Sequence, residues 1–163
     1  MHARSRLSEH PEDVANDTLA CALRLAGEPF RADTPLTSLS GGQSRALMVA
    51  DVALLSSSPI VLLDEIENAG IDKWEALRLL ARSGKAVLVS THDPSLALMG
   101  SRRVIIANGG MAKVVETTRA ERANLECLRE VDLILSDLRA RLRAGSSIDD
   151  DLRLAFSNLR GQG

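Results

Sequence analysis

Residues 59–93 have the sequence PIVLLDEIENAGIDKWEALRLLARSGKAVLVSTHD, in which two short apolar runs lie on either side of a helical pattern. The runs at 59–65 and 85–93 are continuous, which is typical of strands buried on both faces of a parallel sheet. Between them, Asp72 gives a capped helix start and Gly84 gives the stop. A strand, a helix and a second strand in this order predict a right-handed parallel crossover, and therefore an α/β fold.

Polar residues follow both predicted strands. Asp64 and Glu65 stand at the end of the first strand, the edge of a parallel sheet where ligands bind in open α/β folds. Strand alternation sends them in different directions, so Asp64 is placed to hold a Mg²⁺ ion and Glu65 to face a water that attacks a phosphate. An ordinary strand end explains the pair equally well. His92 ends the neighbouring strand, which predicts that it reaches the same sheet edge.

Residues 35–55, PLTSLSGGQSRALMVADVALL, place two glycines in the first turn of a helix. Each glycine costs about 1 kcal/mol relative to alanine, so Gly41 and Gly42 indicate close approach of a ligand to the backbone. Ser40 and Gln43 have the spacing of a capping box, which sets the helix start at Gly41. The free N–H groups of that turn favour an anion such as phosphate. On the capping pattern alone, a plain capped helix start is the favoured alternative.

The remaining chain adds helices and a hairpin. Residues 12–28 predict an amphipathic helix that stops at Gly27, and residues 101–118 predict a β-hairpin that turns at Asn108–Gly110. From Thr118 onward we expect two helices, the second of which opens at the SSIDD sequence. The first carries an apolar stripe made of Leu125, Leu128, Val131, Leu135, Leu138 and Leu142.

Composition limits the function classes. The chain has 163 residues, 45% of them hydrophobic, and a net charge of -2, which fits one globular domain or a piece of a larger one. No apolar run approaches the roughly 20 residues needed to cross a membrane, and the polar start lacks a signal-peptide core, so we expect a cytoplasmic protein. Cys21 and Cys127 are isolated, and we expect both to be small core residues. Near-neutral charge and 2% aromatic residues argue against nucleic acid as a partner.

Three motifs share the order and spacing found in ATP-binding cassette (ABC) ATPases, which residues 11–117 resemble. LSGGQ at Leu39–Gln43 resembles the ABC signature motif, and IVLLDE at Ile60–Glu65 resembles the Walker B strand with its catalytic glutamate. STHD at Ser90–Asp93 resembles the switch-histidine loop. Domains of this family dimerise head to tail and hold two ATP molecules between them.

The resemblance implies a role for each motif residue. It implies that Asp64 serves Mg²⁺, that Glu65 polarises the hydrolytic water and that His92 contacts the γ-phosphate. Asp72 is a candidate for the aspartate of the D-loop, although it falls one residue later than in typical cassettes, and capping of a helix explains it equally well. The residues implied to contact an ATP held by the opposite protomer are Ser40, Gly41, Gly42 and Gln43.

One motif of the family is missing from these 163 residues. The phosphate-binding P-loop reads G-x-x-x-x-G-K-[ST]. The only Gly-Lys pair, Gly84–Lys85, has Leu79 at the earlier glycine position and Ala86 in place of serine or threonine. We therefore expect a partial P-loop NTPase core of ABC type at 59–117, a helical signature subdomain at 1–58 and a helical C-terminal extension at 118–163.

These observations predict part of an ABC-type ATPase that hydrolyses ATP with Mg²⁺ together with a separate P-loop-bearing chain or second cassette. The expected setting is a membrane transporter, with a permease subunit as partner and a place at the inner face of the membrane. One alternative is a non-hydrolytic regulatory module that lends its signature motif to a complete cassette. A second is a DNA-associated ATPase of the structural-maintenance-of-chromosomes type, against which the charge and the lack of long heptad repeats argue. A third is a truncated product without activity.

Overall fold

The computed structural model describes residues 10–68 and 70–150, together with residues 152, 153 and 156. It mixes helices and strands, as the predicted α/β class requires. One compact unit ends at His92 and a second begins at Asp93. This boundary falls inside the stretch 59–117 that the sequence assigns to one core, and the division at residues 58 and 117 stays a prediction.

The first unit contains three helices and two strands. They are α1 (Pro11–Leu25), α2 (Gly41–Leu54), β1 (Ile60–Asp64), α3 (Lys73–Arg82) and β2 (Ala86–Ser90), with short 3-10 turns at Leu36–Ser38 and Ile66–Asn68. Strands β1 and β2 pair in parallel, from Ile60 opposite Ala86 to Asp64 opposite Ser90. The predicted parallel pairing across a helix is confirmed.

The core of the first unit lies where α1 packs along α2 and α2 meets α3. Helix α2 presents small side chains at the i, i+3, i+4 and i+7 spacing of a single helical face, which lets the helices approach closely. The largest fully buried side chains of this core are Leu25 of α1 and Leu80 of α3. The buried residues of the α2 face are Ala46, Val49, Ala50 and Ala53.

The two faces of the β1–β2 sheet differ in burial. Val61 is buried, whereas the neighbouring Ile60 and Leu62 are 58% and 72% exposed, and Leu88 of β2 is 59% exposed. Since residues paired across parallel strands share a face, these exposed side chains form one apolar surface. We call it the open sheet face, and it consists of Ile60, Leu62, Ala86 and Leu88. The expectation that both faces are buried is therefore wrong within the described residues, because the helices of this unit cover one face.

Lys85 binds backbone carbonyl groups at the end of the sheet opposite Asp64 and His92. Gly84 adopts a left-handed conformation with a φ of 75°, and it turns the chain from α3 into β2. The Lys85 ammonium group donates to the carbonyl oxygens of Ser56 and Ser58, at 2.7 and 2.9 Å. The Gly84–Lys85 pair thus forms a turn in front of a strand.

The second unit contains helices α4 (Pro94–Met99) and α5 (Arg119–Arg143) and strands β3 (Arg102–Ala107) and β4 (Gly110–Glu116). The strands form an antiparallel hairpin. Asn108 and Gly109, which connect them, have φ values of 50° and 77°. Two successive positive φ values are what a tight hairpin turn requires, and the predicted turn is confirmed.

Helix α5 begins at a capping box formed by Thr118 and Glu121, and its length agrees with the prediction. Its predicted apolar stripe is not buried, since none of its side chains reaches a buried position among the described residues. Cys127 lies on α5 and is exposed, so the prediction that it is a core residue was wrong. Cys21 is buried, as predicted. The predicted second helix falls largely outside the described residues. Within the described ranges, no helix combines the length and apolarity needed to span a membrane.

Candidate functional site

The first turn of α2 is held by the capping box that the sequence predicts. The Ser40 hydroxyl accepts from the Gln43 backbone N–H at 3.2 Å, and the Gln43 side-chain oxygen accepts from the Ser40 N–H at 2.9 Å. The Gln43 amide nitrogen also donates to the Pro29 carbonyl at 3.1 Å, which ties the helix start to the segment after α1. Gln43 thus stabilises the helix start, and its contact with a nucleotide stays a prediction.

The two glycines of this turn have different surroundings. Gly41 is exposed, and a Cβ added to it would have no atom within 4 Å. Gly42 is half-buried beneath the loop after β1, since a Cβ added to Gly70 would lie 3.7 Å from the Gly42 Cα. The turn therefore presents bare backbone at Gly41 and backbone packed on backbone at Gly42, and Gly41 leaves room for an anion.

The loop from Gly70 to Asp72 lies against the end of α1. The Asp72 N–H donates to the Leu25 carbonyl at 2.9 Å, and Ile71 forms an isolated bridge with Ala26. The Asp72 side chain accepts from the Glu75 N–H at 3.0 Å as the N-cap of α3. Capping accounts for Asp72 in this structure, and a role for it in nucleotide binding stays a prediction.

Asp64 and Glu65 stand side by side at the carboxyl end of β1, and both are exposed. Asp64 is the last residue of the strand, whereas Glu65 lies beyond it, with a φ of 45° and its N–H donating to the Ser90 carbonyl at 3.0 Å. Its left-handed backbone, and not strand alternation, sets the direction of the Glu65 side chain. Such a conformation is unfavourable for a residue with a Cβ, and strained residues of this kind cluster at functional sites.

His92 follows β2 at the same edge of the sheet, and its side chain is 72% exposed. The parallel register that places Asp64 opposite Ser90 brings the three predicted residues Asp64, Glu65 and His92 to one edge. The first turn of α2 is connected to this edge through the loop that contains Gly70.

Glu67 belongs to none of the sequence motifs, and its side chain contacts the loop of His92. Its carboxylate oxygen Oε1 accepts from the Thr91 hydroxyl at 2.6 Å and from the His92 N–H at 3.1 Å. Burial raises the pKa of Glu67, but these hydrogen bonds outweigh burial and hold the pKa below its ordinary value. The sequence offered one sign of this residue, because Glu67 is a third acidic residue close behind Asp64 and Glu65.

The donor set at this edge fits a magnesium ion that arrives with a phosphate ligand. Magnesium is held by one or two protein carboxylates, with water and substrate phosphates completing its shell. Asp64 supplies one exposed carboxylate. In the part of the chain that the structure describes, no three acidic, histidine or cysteine side chains cluster as a complete metal site would require.

A cavity of about 190 Å³ lies between α2, β1 and α3. Its walls are apolar apart from Arg45 and Asp64. Apart from Arg45, the lining offers no side-chain donor to a triphosphate, so the exposed sheet edge and the first turn of α2 are the better places for phosphate groups.

Comparison with known proteins finds ATP-binding proteins of ABC transporters. An uncharacterized ABC transporter ATP-binding protein of Methanocaldococcus jannaschii is 55% identical over 148 residues, which are 91% of this chain and 56% of the relative. An ABC transporter ATP-binding protein of Pyrococcus furiosus is 26% identical over 88% of the chain and 56% of its own length. The zinc import ATP-binding protein of Ruegeria pomeroyi is 34% identical over 64% of the chain and 43% of its own length.

No family model matches the chain, and no solved structure does. The chain spans about half the length of these curated relatives. Its homologues are ABC transporter ATP-binding proteins, which supports the ABC ATPase that its three motifs resemble.

Proposed function

We propose that this chain is the part of an ABC ATPase that carries the signature, Walker B and switch-histidine motifs, and that it hydrolyses ATP only together with a segment that carries a P-loop. The observation that carries the proposal is the sheet edge where Asp64, Glu65 and His92 follow two paired parallel strands. The transporter names of the homologues support a role in energising transport. The proposed partner is a permease subunit, and the proposed place is the inner face of the membrane.

Each residue at the edge has a chemical task. Magnesium, when bound, neutralises phosphate charge, and Asp64 is the carboxylate that would hold it. The exposed carboxylate of Glu65 accepts a hydrogen bond from water and orients that water for in-line attack on the γ-phosphate. The exposed imidazole of His92 contacts the γ-phosphate. The first turn of α2, with Ser40 and the bare backbone of Gly41, closes on the phosphates of an ATP held by the opposite protomer.

The open sheet face is proposed as the seat of the P-loop segment. Parallel sheets are covered by helices on both faces, and here a face formed by Ile60, Leu62, Ala86 and Leu88 is exposed. Among the described residues, β2 pairs with β1 alone, so its other edge is open to a further strand. The homologues are about twice as long as the stretch that this chain matches, which leaves room in them for such a strand and helix.

A reconstitution experiment tests the proposal. The chain is mixed with a purified fragment of the Methanocaldococcus jannaschii relative that comprises the residues this chain does not match. We expect magnesium-dependent ATP turnover from the mixture and none from this chain alone, because the amide groups and lysine of a P-loop are needed to hold the β- and γ-phosphates. Turnover by the pure chain alone would contradict the need for the second segment.

A variant at position 65 tests the catalytic assignment within that mixture. Glu65→Gln keeps the side-chain shape but is a poorer base, and we expect ATP turnover to fall about 100-fold or more while ATP binding is retained. Glu28→Gln changes an exposed glutamate elsewhere in the same unit and serves as the matched control. An unchanged rate in Glu65→Gln would assign turnover to other residues. If the variant instead behaves as wild type while Ser40→Ala abolishes turnover, the chain acts as a module that only donates its signature motif.

A further inference from the structure

Glu67 has a deeply buried acidic side chain that the proposed mechanism leaves unused. It lies in the 3-10 turn Ile66–Asn68 directly after β1, and its side chain is only 8% exposed. Carboxylates are rarely this buried, because removing one from water costs free energy unless hydrogen bonds compensate. The hydrogen bonds that compensate this burial therefore indicate what Glu67 does.

One oxygen of this carboxylate is directed entirely at the loop that follows β2. Oε1 accepts from the Thr91 hydroxyl and from the backbone N–H of His92, and it lies 3.4 Å from Nδ1 of the His92 ring. The other oxygen, Oε2, is buried and has no hydrogen-bond partner among the described residues. Both the backbone and the ring of His92 are thus set against the same atom.

We propose that Glu67 is a positioning residue for His92, which it holds by the backbone N–H and by a proton kept on Nδ1. A neutral imidazole carries its proton on one of its two nitrogens, and an acceptor beside one nitrogen fixes the proton there. With Nδ1 turned to Glu67, Nε2 is the ring atom left to face a phosphate, and it donates to a phosphate oxygen when both ring nitrogens carry protons. This step rests on the proposed function, in which His92 contacts the γ-phosphate.

A purely structural tether is the competing explanation, because Glu67 also joins the turn after β1 to the loop after β2. The Thr91 hydroxyl allows the two to be separated. Thr91→Val removes the 2.6 Å bond to Oε1 and leaves the contacts between Glu67 and His92 in place. Glu67→Gln keeps the size of the side chain but removes its charge.

The test measures nitrogen chemical shifts of the His92 ring by NMR in the full chain, at about pH 9, where an ordinary histidine is neutral. In the wild type we expect the Nδ1–H form of His92 to be enriched relative to that of His10, which serves as the internal reference. Glu67→Gln should lower the ratio of the Nδ1–H to the Nε2–H form about 1.4-fold to fivefold, the range expected for a charged contact in which one partner, here His92, is exposed. Glu67→Ala should also speed hydrogen exchange of the His92 amide.

The matched control is Thr91→Val, which should leave the ratio of ring forms within error of the wild type. An unchanged ratio in Glu67→Gln would overturn the proposal, as would an equal change in Thr91→Val, which would show a tether alone. The measurement needs no nucleotide and no second segment. Failure of the ATPase reconstitution would therefore contradict the proposed function without affecting the result for Glu67.

Discussion

Replacement of Leu62 by alanine tests whether the open sheet face is the seat of a second segment. Leu62 is 72% exposed in the middle of β1, although parallel strands are ordinarily covered on both faces. If the P-loop segment covers this face, the Leu62 side chain passes from water into an apolar contact when the two parts associate. Its truncation should then weaken association far more than it weakens the chain itself.

The expected magnitude follows from the exposed fraction. The change removes three carbon groups, which contribute about 2.4 kcal/mol on complete burial at about 0.8 kcal/mol each. Since 72% of the residue is exposed, about 1.7 kcal/mol of this is still to be gained on association. Loss of that amount raises the dissociation constant about 15- to 20-fold. The free energy of unfolding of the chain alone should fall by no more than about 0.7 kcal/mol.

Titration calorimetry of this chain with the unmatched fragment of the Methanocaldococcus jannaschii relative measures the dissociation constant. Urea unfolding of each variant measures its stability. The matched control is Val61→Ala, one residue earlier on the buried face of the same strand. It should lower the free energy of unfolding by about 1.6 kcal/mol or more and leave the affinity of the folded chain unchanged.

Equal affinities for the wild type and Leu62→Ala would refute the reasoning, because a side chain at the centre of the contact must contribute to it. A concentration-dependent dimer of this chain that Leu62→Ala dissociates would assign the open sheet face to a second copy instead. Sedimentation of the chain alone distinguishes that case before any titration.

Two further predictions concern residues of the candidate site. Ser40→Ala removes the acceptor of the Gln43 N–H, and we expect the free energy of unfolding to fall by about 1 kcal/mol in urea, whereas Ser40→Thr should retain most of it. The pKa of Glu67 is below its ordinary value, so its hydrogen bonds stabilise the fold at pH values above that ordinary pKa, and this contribution is lost as the pH falls through the lowered pKa of the folded state. Glu67→Gln should therefore remove part of the acid sensitivity of unfolding, and identical loss of stability in the two proteins below about pH 4 would contradict the assignment.

Features determined by neighbours along the chain could be predicted from the sequence. The capping box of Ser40 and Gln43 involves residues three apart, and the cap at Asp72 does too, so their hydrogen bonds depend on local geometry alone. The hairpin turn at Asn108 and Gly109 follows from their tolerance of positive φ. The pairing of β1 and β2 was predictable because a parallel neighbour needs a crossover, and α3 supplies one.

Features determined by contacts distant in sequence were missed. Glu67 and His92 are 25 residues apart, and only the pairing of the two strands brings their loops together. The left-handed backbone of Glu65 could not be predicted, because positive φ values are expected at glycine and this residue is a glutamate. Cys127 is exposed because α5 buries none of its side chains among the described residues, which a stripe of leucines does not reveal.

The apolar runs of β1 and β2 were predicted to be buried on both faces, and in this structure one face of the sheet is exposed. A continuous apolar run is typical of a strand whose two faces are both covered, whereas the described helices cover one face of this sheet. The difference at Leu62 is therefore informative, because it marks where the chain and its complement are expected to meet.

The glycines at 42 and 70 bring two segments into backbone contact, with no side chain between them that could adjust. The loop that includes Gly70 is continuous with the turn that carries Glu67, and Glu67 holds the backbone of His92. If the first turn of α2 moves toward an anion, we expect the loop packed against Gly42 to move with it, and this loop leads back to the residue that holds the His92 backbone. We therefore expect the first turn of α2 and His92 to be coupled, so that the free-energy effect of a change at Ser40 depends on the residue at position 92.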